Sequence, residues 1–355
     1  MKCQGWETRG HYNNTELRDK LMNFAGIDVG STELVIVVSV KGKARKAKTY
    51  KNTASGHQSI IQLLSKLKGE TQVCIEATGI YHFDLAVALS RAEGIEIMVI
   101  NPKVAHNFAK VLMKRSKTDV VDAETLATFC EKMPFEIWQR PADEVLTLKA
   151  LSRRIAALNK QKAQTKNQLH ALKATAETPS IIIEQTEGLI EVFESQIKAM
   201  RLGALDLIKQ HDNLQEAFTL ITGIKGIAET SGIQILGELM ILPQDMTARQ
   251  WVAYAGLDPR KFESGSSVFK KPRISKAGNK FIRQVLYMPA LVATRYERHI
   301  KGYYIHLIED NGLKKMQALC AVMRKLLHAI HGMLKIKKEF DGSRFYSLPA
   351  EVACP

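Results

Sequence analysis

A chain of 355 residues exceeds what one hydrophobic core ordinarily organises, so two or more folded units are expected. With 45% hydrophobic and 25% charged residues it has a globular composition, which excludes extensive disorder. The excess of 51 Lys and Arg over 36 Asp and Glu, a formal +15, calls for a polyanionic partner, nucleic acid first and an anionic membrane second, because basic surfaces displace counterions from phosphates.

Five cysteines (Cys3, Cys74, Cys130, Cys320 and Cys354) are odd in number and form no C-x-x-C pair of the kind zinc and redox sites use, which fits a reducing cytosol. No apolar run approaches the roughly 18 residues of a membrane span, and the first twenty residues are polar where a signal peptide is apolar. An intracellular protein without a membrane partner is expected. Those first twenty residues carry no readable pattern.

From Phe24, FAGIDVGSTELVIVVSV reads as an apolar strand, a Gly-containing turn and a β-branched strand, a hairpin signature. Residues 57–68 have helical apolar spacing, TQVCIEATG is a buried-strand pattern, YHFDLAVALSRAEG an amphipathic helix ending at Gly94, and IEIMVINP a strand stopped by Pro102. KTDVVDAETLATFCEK starts a helix with Thr118 or Asp119 as N-cap. Strands alternating with helices predict an α/β domain over 22–140.

After Pro141 the pattern turns helical. Residues 143–172 and 181–216 carry Leu, Ile and Ala at helical spacing, split near Pro179, and predict a helical coiled-coil arm over 141–216. A mainly α domain over 217–340 follows, with a Gly, Ser and Lys-rich loop at 261–280. Residues 260–340 hold 18 Lys and Arg against 5 Asp and Glu, so most of the net charge sits there.

Asp28 closes the first strand, Glu76 the TQVCIEATG strand, and Asp119 and Asp122 share a helical face because three residues make nearly one turn. Such carboxylates can converge, and Mg²⁺ takes hard oxygen ligands; two ions about 4 Å apart clamp the attacking and leaving oxygens of a phosphodiester. Taken singly, each acid reads as a cap or a solvated end. Asp28 resists that reading, since it lies in the apolar frame GIDVG, where an unpaired carboxylate is costly.

In order and spacing, GIDVGST, CIEATGIYH and KTDVVDAETLA resemble the RuvC-like DEDD domain of bacterial insertion-sequence transposases. WVAYAGLDPRKFESGSSVFKKPRISKAGNKFIRQVLYMPAL is similar to the C-terminal transposase domain of that family, whose members are serine-using recombinases directed by a structured bridge RNA. The resemblance spans most of residues 24–340. It implies a ribonuclease H-like first domain, with Asp28, Glu76, Asp119 and Asp122 as catalytic ligands for Mg²⁺, two ions per site. It also implies donor and target DNA and a guide RNA as partners, a dimer or tetramer that synapses two DNA molecules, and a cytoplasmic, nucleoid-associated bacterial or archaeal setting.

The same resemblance places the nucleophile at the serine before glycine in ESGSSVF, Ser264, with Ser266 and Ser267 as rivals. Composition alone reads 264–267 as a flexible turn. A serine hydroxyl needs activation, and no histidine is near in sequence, so the implied assistance comes from the carboxylate-held metals of the other domain or another subunit. Lys270, Lys271, Arg273, Lys276, Lys280 and Arg283 follow, a cluster suited to phosphates or to solvent.

The turn around Gly223, Lys225 and Gly226 resembles a helix-hairpin-helix whose backbone N–H groups hold a phosphate; an ordinary helical turn reads equally well. Arg153, Arg154, Lys160, Lys162 and Lys166 on the arm suit an RNA backbone or solvent, and its apolar stripe suits oligomerisation. Tyr81, His82 and Trp251 could stack on bases, though aromatics so placed are more often core.

Three rivals compete with a recombinase. GIDVGST also resembles the first phosphate loop of actin-like and sugar-kinase ATPases, but the only later D-x-G, Asp310 to Gly312, lies between helices. A metal-dependent junction nuclease would tolerate loss of Ser264, and a basic RNA-binding scaffold would tolerate loss of the carboxylates too.

Overall fold

The computed structural model describes residues 22–348 except 78, 115, 117 and 265–267, and for the rest of 261–272 the backbone alone. The chain divides at Arg140 and Pro141 into two compact units. It is a mixed α/β protein in which helices predominate. Among the described residues no helix is long and apolar enough to cross a membrane.

The first unit runs β1 (Met22–Val29), β2 (Glu33–Val40), β3 (Lys43–Ala44), β4 (Lys48–Lys51), α1 (Ala54–Ser65), β5 (Glu70–Glu76), α2 (Phe83–Ser90), β6 (Ile95–Ile100), α3 (Pro102–Val111) and α4 (Asp119–Lys132). Its sheet has the order β3-β2-β1-β5-β6, with β4 also on β2. β1 and β2 form the expected antiparallel hairpin, and β5 and β6 join it in parallel through helical crossovers.

Strand parity divides the core. Ile27, Leu34, Ile36, Val73 and Ile75 face α1 and α2, packing on Ile60, Leu64, Leu85 and Leu89. The opposite face carries Cys74, Met98 and Ile100 against Leu126, Phe129 and Cys130 of α4 and Ala105 of α3. Buried Cys74 and Cys130 are free thiols; burial pushes Cys74 up to about 12.

Sequence reading stopped β6 at Pro102 and placed no element between it and the helix that starts near Thr118. Pro102 instead opens α3, because Asn101 caps that helix through the Lys103 amide and proline fits the first helical turn. Thr118 is the cap of α4, accepting from the Val121 amide.

The second unit comprises α5 (Asp143–Leu172), α6 (Ser180–Lys209), α7 (Asp212–Thr222), α8 (Glu229–Leu239), α9 (Ala248–Ala255), β7 (Pro259–Ser264), β8 (Val268–Ile274), α10 (Lys280–Tyr296), α11 (Arg298–Glu309), α12 (Lys315–Ile336) and α13 (Gly342–Phe345). The two 30-residue helices α5 and α6 pack on each other. Their near ends enter the core: Val145, Leu148 and Ile155 join Ala204, Ile208, Leu236 and Leu326. The stretch read as one helix to 216 breaks at Gln210 and His211 and resumes as α7.

The loop expected at 261–280 is in fact largely the antiparallel hairpin β7–β8. Gly, Ser and Pro in that stretch suggested irregular backbone; the register nevertheless pairs Pro259 to Ser264 with Val268 to Ile274, with an irregularity between Arg260 and Phe262. Its base is tied by Ser275 donating to Asp258 and by the Ser275 amide to the Asp258 carbonyl.

Candidate functional site

Parity puts two of the expected residues, Asp28 and Glu76, under one helix. Gly26 and Asp28 share a face of β1, and Glu76 continues the face of Cys74 on the neighbouring strand, where Gly26 pairs with Cys74 and Ile27 with Ile75. That face is covered by α4. It lies so close that a Cβ added at Gly26 would stand 2.1 Å from the Ala123 carbonyl and 2.2 Å from the Ala127 amide. A helix seated there at Ala123 brings its first turn, with Asp119 and Asp122, toward the strand end that bears Asp28. The first turn is also where the helix dipole favours carboxylates.

The electrostatics record this convergence. Partial burial, then the charges of Asp119, Asp122 and Glu76, push the Asp28 carboxyl up to about 6, against one backbone N–H bond from Val29. Four carboxylates are the oxygen donors a hard divalent cation takes, so the donor chemistry fits Mg²⁺. Among the described residues, however, no group of three or more His, Cys, Asp or Glu is disposed to hold a metal, so ligation requires the side chains to close up.

Sequence reasoning missed the residues that hold the two site loops together. Asn52 donates through Nδ2 to the Gly30 carbonyl (2.9 Å), after β1, and to the Tyr81 carbonyl (3.1 Å), after β5. Its own amide donates to the Thr32 carbonyl. With Nδ2 so engaged, Oδ1 accepts from His57 Nε2 at 2.8 Å, which fixes the imidazole tautomer. Burial lowers the His57 pKa, with Asp84 opposing. No local motif marks Asn52 or His57, and the two carbonyls that Asn52 ties, of Gly30 and Tyr81, lie far from it in sequence.

In the second unit, Ser264 ends β7 and pairs with Val268. Ser266 and Ser267, and the side chains of Lys270 and Lys271, lie outside the described residues. Arg273, Lys276 and Lys280 are exposed. Arg283 donates to the Ala255 carbonyl at 2.8 Å, closing the end of α9. In the turn between α7 and α8, Gly223 and Lys225 are exposed, while Gly226 (φ 112°) packs on α10, where a Cβ would meet the Pro289 carbonyl at 2.6 Å. Close approach explains that glycine.

Several arm cations are spent within the arm. Lys162 and Lys166 pair with Glu194, and Arg154 reaches Gln196. Arg153 pairs with Glu238 of α8, while Lys160 stays exposed. Trp251 is core, edge-on to His331. Tyr81 is exposed, and His82 precedes α2 without capping it.

Residues 25–175 match the IS110-type DEDD transposase domain, and residues 218–305 match the transposase IS116/IS110/IS902 family. The chain is 32% identical to the pilin gene-inverting proteins of Moraxella lacunata and Moraxella bovis over 275 residues, 75% of this chain and 81% of each relative. Among solved structures, RuvC of T. thermophilus in complex with a Holliday junction substrate aligns over 30% of this chain and 90% of its own, at 22% identity and a TM-score of 0.21.

Proposed function

Since this chain belongs to the IS116/IS110/IS902 family of transposases, we propose that it cleaves and exchanges DNA strands of an insertion sequence, with Asp28, Glu76, Asp119 and Asp122 as metal ligands and Ser264 as nucleophile. The observation that carries the reading is the Asp28 carboxyl, raised to about 6 by partial burial and by the charges of Asp119, Asp122 and Glu76. A cation bound among these acids would offset the repulsion that raises Asp28. Mg²⁺ bound there, two ions per site, would clamp the attacking and leaving oxygens.

The chain's own groups do the rest. Asp28 and Glu76 present carboxylates from adjacent strand ends, and α4 holds Asp119 and Asp122 in register on one helical face. The Ser264 hydroxyl bonds to phosphorus as the bond to the leaving nucleoside oxygen breaks, and that oxygen takes up a proton. Attack by the hydroxyl of the exchanged strand reverses the step and restores the serine, so the phosphodiester is not hydrolysed. The proposal requires serine and carboxylates to act on one phosphodiester.

Recognition is assigned to the basic residues 270–283, to the turn at Gly223, Lys225 and Gly226, and to the 141–216 arm. They would bind donor and target DNA and a structured guide RNA in a dimer or tetramer, in the cytoplasm. The local excess of positive charge over 260–340 supports the first of these assignments.

The test is a denaturing gel for covalent protein–DNA adducts, with magnesium, RNA that copurifies with the protein, and matched DNA. An adduct formed by wild type and lost in both Ser264→Ala and Asp28→Ala is expected. Cleavage that survives Ser264→Ala but not Asp28→Ala would instead make the protein a metal nuclease. DNA left intact by wild type overturns the reading.

A further inference from the structure

We propose that the cleft between α5, α8 and α10 is a pocket for one unpaired nucleotide of a bound nucleic-acid strand. The cleft lies within the second unit and encloses about 550 Å³, in the range of small-ligand sites. The proposal rests on the nucleic-acid-binding part of the reading above, and not on the carboxylates or the serine.

One wall is Arg153, and it is held. Its Nε and Nη2 donate to the two oxygens of Glu238 at 2.7 and 3.2 Å, and Glu238 is 2% exposed. Asn279, which caps α10, donates to Glu238 at 2.6 Å, so both carboxylate oxygens are engaged. The guanidinium lies 4.5 Å over the Phe281 ring. Burying a carboxylate is costly, and apolar residues would pack this junction as well. The pair adds an arginine in a single fixed pose, whose Nη1 makes no hydrogen bond among the described residues.

The electrostatics suit a phosphate. Lys160 and Lys280 also line the cleft, and neither has an acidic partner among the described residues. Three cations against one buried carboxylate leave an excess of two positive charges, which the phosphodiesters on the two sides of a nucleotide, one negative charge each, would balance in charge-assisted hydrogen bonds. The remaining lining suits a base. The Gln234 and Gln284 amides carry no hydrogen bond among the described residues and can read donors and acceptors on a base edge. Val285 and Met288 offer apolar contact to its face, Met288 being 54% exposed. Bases within a duplex keep their faces stacked, so an unpaired nucleotide is the fitting occupant.

The experiment titrates the full chain, without metal, against fluorescent oligothymidylate, oligouridylate and an abasic backbone of the same length, reading anisotropy. Wild type is expected to bind the base-bearing strands on the order of tenfold more tightly than the abasic one. In Gln234→Ala/Gln284→Ala that preference vanishes, with an unchanged melting temperature showing that the fold survives; Lys160→Glu weakens all three strands. A preference that persists in the double variant, or is absent from wild type, overturns the pocket. Tighter binding of oligouridylate would identify the occupant as RNA, and of oligothymidylate as DNA. Covalent adducts without base preference would sink the pocket alone; base preference without adducts would sink strand exchange and leave the pocket standing.

Discussion

The two units position their candidate groups by different physics. In the first, regular elements do it: two strand ends and one helix start meet because Gly26 lets α4 settle onto β1. In the second, a buried polar junction of Arg153, Glu238 and Asn279 joins three helices at the cleft. Close packing is rigid and intolerant of added volume; a polar junction tolerates volume but not the loss of one partner. Each should therefore fail under a different substitution.

The largest effect is expected at the polar junction. Arg153→Met leaves Glu238 buried with Asn279 as its remaining partner in that pair. Removing one partner of a buried ion pair costs about 3–5 kcal/mol, and the partial exposure of Arg153 puts this case near the lower end. Arg153→Met combined with Glu238→Leu should recover most of the loss. Chemical denaturation of the three variants measures it, and a double variant no better than the single would mean the junction is not an ion-pair device.

Gly26→Ala comes next. The new methyl group meets the α4 backbone at Ala123, Leu126 and Ala127, which cannot rotate away, so α4 must lift. Overpacking costs about 1–3 kcal/mol, and this case belongs at the upper end. Calorimetry should show the loss in the first unit's transition, and metal-dependent DNA cleavage should fall with it, because lifting α4 withdraws Asp119 and Asp122. Normal cleavage in this variant would mean the acids do not depend on that crossing.

The contrast also explains what could be read in advance. GIDVG, CIEATG and the Thr118 cap carry local signals: apolar runs, a turn glycine, a capping threonine. Those signals place the acids at element ends, and the family resemblance picks them out. The role of Gly26 has no local trace, since the helix that crowds it begins ninety-odd residues later. The hairpin β7–β8 was hidden because Gly265 and Pro272 mimic loop composition. Glu238 sits in an apolar helix where nothing nearby in sequence announces Arg153 or Asn279.

The pH dependence sharpens the comparison, because among the described residues the first unit alone carries a strongly raised carboxylate. The Asp28 pKa of about 6 exceeds that of an unfolded aspartate, so between about pH 4 and 6 the native state holds the extra proton and stability falls as pH rises. Above that window the charge costs at most about 3 kcal/mol, and solvent contact should reduce this to about 1–2. Asp28→Asn should therefore stabilise the protein at pH 8 and do little at pH 4. Ca²⁺ should stabilise wild type at pH 8 and much less the variant. Stability of the variant that tracks wild type across this range would remove the case for a repulsive acidic cluster.

The smallest effect on stability, with a disproportionate one on activity, is expected at Asn52. Asn52→Asp keeps an acceptor for His57 but loses the Nδ2 hydrogens that the Gly30 and Tyr81 carbonyls accept. Both carbonyls can turn to water, so the cost should be about 1 kcal/mol. The new carboxylate also raises the His57 pKa, a shift visible in the imidazole NMR titration and opposite to the present effect of burial. The loops those carbonyls belong to follow Asp28 and Glu76, and freeing them lets the two carboxylates drift apart. Metal affinity should then drop by more than the stability change implies, while Asn52→Gln, which keeps both groups on a longer stem, should fall between. If affinity declines only in step with stability, Asn52 is an ordinary loop tie, and the first unit holds its acids by the Gly26 crossing alone.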